Sequence, residues 1–301
     1  MSLRFKSLLI FAITVTLLFA IVLAFAKIVI ERQFDQIEME EMFRQARQFS
    51  AELREEITPM VSTAGDWARR DDLYDYASGR NPGFPARNLL PGKLSTLRLD
   101  FLAVFSQSGE LVLLNTAPDQ RRNKLSEDQI LATIRQQKLI PQNDLDHPTA
   151  GMALAGDQLL FVTALPIARS DRSGAPAGTL VFGRAFAPET SDGFQDFASF
   201  RFEFLPLAQN PPATPADRQS ITVEALDPQQ MVAFVPLDDL RGHQITVARL
   251  TSDRPLHLQA TRTISVFVIS LASSAGILLF VVWYLLDSNV ILPVRRLADR
   301  L

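Results

Sequence analysis

The sequence predicts an α+β domain held between two membrane-crossing helices. Three observations predict it. The apolar residues, 47% of 301, lie in two blocks: residues 8–26 form a run of 19 without a charge and residues 264–286 another of 23. Between them, short apolar runs alternate with turn-forming clusters, as in a sheet of short strands. A Gly- and Pro-free, Glu/Gln/Arg-rich stretch precedes those runs, as in a long helix.

The two apolar runs come first. As helices they are about 28 and 34 Å long, close to the roughly 30 Å hydrocarbon core of a bilayer. Arg4 and Lys6 precede the first, the layout of a signal peptide, but the run is longer than a signal peptide's apolar region and bulky Ile28, Val29 and Ile30 follow it. It is therefore read as an uncleaved span. The second run ends in Trp283 and Tyr284, rings suited to the membrane–water boundary. Two spans put both termini on one side. A segment of more than 200 residues crosses largely regardless of its charge, so the short basic ends, Arg4, Lys6, Arg295, Arg296 and Arg300, set the topology. The expected division is an N-terminal end and first span over 1–30, an extracytoplasmic domain over 31–262, a second span over 263–286 and a cytoplasmic start of a further helix over 287–301. Small residues four apart, Ser270 with Ser274, Ala272 with Gly276 and Ala20 with Ala24, offer a packing face for self-association.

In the outer segment, 31–57 reads as a helix continuing out of the membrane. Met42, Ala46, Phe49, Leu53, Ile57 and Met60 form an apolar stripe that is either a dimer seam or a face docked on the domain itself. Pro59 and Gly65 are expected to break this helix. Phe101–Phe105 and Leu111–Asn115 read as a hairpin across Gly109, Ser126–Gln137 as a capped helix, and Gln158–Ile167 with Thr179–Phe186 as a second strand pair. The Pro-rich stretch 210–215 reads as a loop or a boundary near 208–216. Around it, 202–207, 221–225, 231–235 and 244–250 read as strands that either complete the first sheet or form a second.

Composition and motifs narrow the chemistry. There is no cysteine, which excludes disulfides, thiolate metal sites and cysteine nucleophiles. Residues 31–263 hold 24 Lys+Arg against 31 Asp+Glu, a balance of −7, which argues against nucleic acid as a partner. None of the phosphate-loop, dinucleotide, zinc-protease or nucleophile-elbow motifs occurs, and His147, His243 and His257 stand singly. The chain is expected to have no catalytic residue, no metal site and no cofactor. Asp66, Asp71, Asp72 and Asp75 do not share one helix face, unlike a calcium loop. Two readings of that stretch stand. In one, Asp71 or Asp72 caps a helix while Trp67 and Tyr74 pack; in the other, Trp67, Tyr74 and an Asp line a pocket whose carboxylate recognises an amine.

The stretch Asp66-Trp67-Ala68, Asp71-Asp72-Leu73-Tyr74, then Asn88-Leu89, the Gly109 hairpin, Leu165-Pro166-Ile167 and Gly178–Arg184 resembles the fourth class of CHASE domain. That family consists of extracytoplasmic sensory domains of bacterial receptors, related to Cache and PAS-like sensors. Arg70 departs from it, standing where the family often has a second Trp. Ile291-Leu-Pro293, Leu297 and Leu301 resemble the opening of a HAMP linker. The resemblance implies a Cache/PAS-like antiparallel sheet with a long N-terminal helix in a bacterial inner-membrane receptor. A small-molecule or protein ligand would bind outside, and a homodimer would pass the signal to a diguanylate cyclase, phosphodiesterase or histidine kinase. The residues expected to contact ligand are Trp67, Asp72, Tyr74 and Asn88. The alternatives are a membrane-anchored interaction protein without a ligand and an ectoenzyme using the Asp cluster.

Overall fold

A computed structural model describes residues 3–117, 125–187, 194, 200–205, 221–227 and 229–286. The predicted boundary at 208–216 and the HAMP-like residues 287–301 lie outside the described residues. Helix α1 runs unbroken from Leu3 to Glu55 and is followed by α2 (Thr58–Ala68), α3 (Asp71–Ala77), α4 (Phe84–Asn88) and α5 (Lys93–Thr96). The sheets and remaining helices are β1 (Phe101–Ser106), β2 (Leu111–Thr116), α6 (Glu127–Gln136), β3 (Thr149–Ala155), β4 (Gln158–Ile167), β5 (Gly178–Ala185), β6 (Arg201–Leu205), β7 (Thr222–Ala225), β8 (Gln230–Asp238), β9 (Gln244–Asp253) and α7 (Pro255–Leu286). The fold class is the α+β one that the sequence predicts, antiparallel sheet and long N-terminal helix included.

The chain divides into two compact units. One holds residues 42–224 and 232–252; the other holds α1 up to Glu41, residues 225–231 and the stretch from Asp253 through α7. In the first, a five-stranded antiparallel sheet has the order β2-β1-β5-β4-β3. It is covered on both faces. Phe101, Ala103 and Phe105 pack with Leu160, Val162 and Val181 against Ile130 and Ile134 of α6. On the opposite face, Phe182 meets Trp67 of α2 with ring centroids 6.1 Å apart. Such strands bury both sets of alternating side chains, so they read as continuous apolar runs. Gly183 and Gly178 let β5 approach β1 closely: a Cβ at Gly183 would lie 2.0 Å from the Phe101 ring, and one at Gly178 would lie 1.9 Å from the Phe105 carbonyl oxygen. The glycines of the Gly178–Arg184 motif thus have a steric reason.

The apolar stripe docks on its own domain. Met42, Ala46, Phe49 and Leu53 are all buried, and the Phe49 ring lies 5.4 Å edge-on to Phe194 and 5.5 Å from Phe202. Pro59 does not simply break the helix. It occupies the first turn of α2, where a missing N–H costs nothing, and Gly65 sits inside α2. Helix α6 begins with a full capping box, Ser126 and Gln129 exchanging side-chain and backbone bonds at 3.2 and 2.9 Å. The later strands form a separate four-stranded sheet, β6-β9-β8-β7, rather than completing the first.

In the second unit, α1 and α7 supply two helices long and apolar enough to cross a membrane. Beyond the apolar part of α1, Arg254 is buried beside α1: its Nε donates to Glu38 at 2.7 Å and its Nη2 to Asp35. Burial alone would lower the Arg254 pKa, but these two carboxylates hold it above its ordinary value.

Candidate functional site

The helices α2 to α4 bring three of the four expected ligand-contact residues together. Helix α2 ends at Ala68, and Arg70 takes an extended conformation (φ −89°, ψ 128°) that turns the chain into α3. From there its guanidinium reaches forward. Nε and Nη2 donate to the two carboxylate oxygens of Asp72 at 3.0 and 2.7 Å, and Nη2 also donates to the Asn88 side-chain carbonyl at 2.7 Å. Asn88 donates its amide to Asp72 at 3.3 Å and to the Phe84 carbonyl at 3.2 Å, while Asn81 holds the Asp72 main-chain carbonyl at 3.0 Å. Beneath this network the Arg70 guanidinium lies 5.2 Å from the Trp67 ring, which is itself buried edge-on to Phe84 at 6.4 Å. Trp67, Asp72 and Asn88 therefore converge on Arg70. The Arg70 and Asp72 side chains stay 38% and 36% exposed, so solvent reaches the pair. Arg70 holds both Asp72 oxygens, so a ligand amine would compete with it for that carboxylate.

Tyr74 goes elsewhere. Two residues past Asp72 is about 200° around a helix. Its hydroxyl donates to the Ala175 carbonyl at 3.2 Å, and the Arg169 guanidinium lies 4.5 Å from its ring. Asp71 holds the same β4–β5 loop, accepting from the Ser170 N–H at 3.0 Å and the Ser170 hydroxyl at 2.9 Å, bonds that keep its pKa below the usual carboxylate value. Asp75 pairs with Arg80 at 2.9 Å. Neither Asp71 nor Asp72 caps α3; both lie in its first turn, where a negative charge suits the helix dipole.

A second polar feature joins α1 to the sheet. Arg184 of β5 donates to the Glu56 carbonyl at 2.8 Å and to its carboxylate at 2.5 Å, just past the end of α1, with the Phe161 ring 5.6 Å from the guanidinium. It borders an open cleft of about 460 Å³ whose lining includes Glu52, Met60, Thr63 and Arg98.

Residues 53–205, just over half of the 301-residue chain, match the CHASE4 domain. The chain belongs to the CHASE4 domain family. The match begins on the last turn of α1 and ends at β6, so it takes in the whole five-stranded sheet and the Arg70 network. A curated relative, the methanogenesis regulatory histidine kinase FilI of Methanothrix harundinacea, is 22% identical over 257 residues, 82% of this chain. The chain spans 28% of that relative's length. Among solved structures, the periplasmic domain of Vibrio cholerae LuxQ is similar with a TM-score of 0.43 and 9% identity, over 70% of this chain and 98% of that one. The ligand-binding domain of the Campylobacter jejuni chemoreceptor Tlp3, solved with L-valine, gives a TM-score of 0.33 and 14% identity, over 80% and 96%.

Within the CHASE4 domain, sequence reasoning missed the hub. Arg70 reads from the sequence as a departure, standing where the family often has a second Trp, whereas the structure lays its cation over the Trp67 ring. The two-residue step from Arg70 to Asp72 across a helix start was the available signal. Ser170 leaves none, because its partner lies 99 residues away, and the Gly178–Arg184 motif marks Arg184 without its partner, which lies 128 residues away.

Proposed function

We propose that this CHASE4 chain is the sensory input module of a bacterial inner-membrane receptor, which receives a ligand outside the membrane and passes the signal inward along α7. Family membership across residues 53–205 is the observation that carries this reading, since a CHASE4 domain senses and does not catalyse. The continuity of α1 supports it: one 53-residue helix carries both an apolar stretch fit for a bilayer and the buried stripe Met42, Ala46, Phe49 and Leu53 of the domain. Both termini are cytoplasmic in this reading, residues 31–262 are periplasmic, and a HAMP-type linker begins at 287. A histidine kinase is the effector class that the relative's name favours over a cyclase or phosphodiesterase. The receptor acts as a homodimer, for which Ser270 with Ser274, or Ala272 with Gly276, offers a close-packing face; the Ser274 hydroxyl bonds back to the Ser270 carbonyl at 3.0 Å and so leaves the first of these faces small.

The mechanism is a population shift. A ligand favours one arrangement of the domain by its differential affinity, about 1.4 kcal/mol for each tenfold change in the ratio of states. Ligand contact by Trp67, Asp72, Tyr74 and Asn88 belongs to the same proposal, with Arg70 released from Asp72 on binding. The test is a thermal-shift screen of the whole chain in nanodiscs against amino acids, amines, carboxylates and nucleotides. A compound at a hundred times its Kd should stabilise the protein by about 2.7 kcal/mol. Silence across the panel, together with stable capture of a membrane protein partner, would replace the sensor by an interaction protein.

A further inference from the structure

A second open cleft, of about 480 Å³, is built by the end of α1, the start of α2, strand β3 and the end of β8 with the turn after it. Its size falls within the range of small-molecule sites. Three kinds of group line it. Arg54, on the last turn of α1, brings a guanidinium; Asp238, at the end of β8, brings a carboxylate; Ile57, Val61, Met152 and Leu237 supply an apolar wall. Neither the Arg54 guanidinium nor the Asp238 carboxylate has a hydrogen-bond or ion-pair partner among the described residues, and the two form no ion pair with each other. The neighbouring Asp239 is different: its carboxylate is taken up by the N–H groups of Arg241 and His243 at 2.8 and 2.9 Å. One cation and one anion thus face the same partly apolar space, each with its bonding capacity unused.

We propose that this cleft binds a small zwitterion with an apolar body, its carboxylate on Arg54, its protonated amine on Asp238 and its hydrocarbon against Ile57, Val61, Met152 and Leu237. A planar carboxylate matches the fork of an arginine, and an ammonium satisfies a carboxylate from any side. The proposal rests on the sensor reading and adds to it a second site, apart from the Arg70 network, with a ligand class of its own. It also gives the ligand leverage. One wall is α1, and the other is the β8–β9 hairpin, whose second strand leads through Asp253 into α7. The hairpin lies beyond residue 205, outside the CHASE4 match.

The experiment is calorimetry on the whole chain in nanodiscs with L-leucine and the dipeptide Leu-Leu as zwitterions. Isocaproate and isoamylamine, which each keep one charge of leucine, are the controls. One of the zwitterions should bind, with both single-charge analogues at least about tenfold weaker. Arg54→Gln and Asp238→Asn, both at solvent-accessible positions, should each weaken it by a similar factor with the melting temperature of the free protein unchanged. Failure of both zwitterions to bind, or binding undiminished in Arg54→Gln and Asp238→Asn, would overturn the proposal. If another compound of the thermal-shift panel stabilises the chain while these zwitterions do not bind, the cleft assignment falls and the sensor reading stands. Silence of the whole panel would count against both.

Discussion

Arg70 shows how a single residue can be legible as unusual and still be misread. Its sequence position marks a lost aromatic, but the charge it brings stacks on Trp67 and ties Asp72 to Asn88, residues 16 apart. Trp67 and Asp72 were readable because they lie in one short polar-aromatic stretch; that Tyr74 faces the β4–β5 loop instead follows only from where that loop lies. Gly183 is a simpler case. The Cβ of Gly183→Ala would collide with the Phe101 ring, so the variant should lose about 1–3 kcal/mol in denaturant unfolding, as overpacked sites do. Asp239 gives a pH signature. Burial alone would raise its pKa, but the His243 and Arg241 N–H groups, with help from Gln137 and the His243 ring, outweigh it and hold the value below the ordinary carboxylate range. A depressed folded pKa means that the stabilisation is complete above the unfolded value near 3.9 and fades as pH falls through the folded one. The melting-temperature gap between wild type and Asp239→Ala should therefore be widest near neutral pH and close toward pH 3.

Secondary-structure elements were read from the sequence wherever local rules governed them. The capping box of α6, the β1–β2 hairpin and the β4–β5 pair all follow from spacing and turn chemistry within a few residues. Strand β3 carries little strand signal, because beyond Thr149 the run Ala-Gly-Met-Ala-Leu-Ala has no β-branched or aromatic residue; pairing with β4 makes it a strand. The choice between one sheet and two was likewise beyond the sequence, since it depends on partners far apart in the chain. At this scale Arg254 makes a prediction. It anchors the entry to α7 against Glu38 and Asp35 of α1, and both Arg254 and Glu38 side chains are only 6% exposed. Arg254→Met should destabilise the chain by about 3–5 kcal/mol, the usual result of removing one partner of a buried ion pair. Adding Glu38→Leu to Arg254→Met should recover part of that loss, because an apolar pair no longer strands a buried carboxylate. Denaturant titration of the single and double variants in nanodiscs checks both statements.

At the scale of the whole molecule, a CHASE4 domain is joined to two helices fit for a membrane, with α1 shared between them and β9 leading into α7. Ligand binding should then reach the membrane helices themselves. The absence of native cysteine makes this directly measurable, because any introduced cysteine is labelled alone. Ile21 and Ile277 are exposed on α1 and α7. With spin labels on Ile21→Cys and Ile277→Cys in nanodiscs, pulsed electron paramagnetic resonance reads the distance distribution between the two helices. Saturation with the compound that stabilises the chain in the thermal-shift screen should shift that distribution. An unchanged distribution at proven saturation would contradict the claim that this domain signals across the membrane.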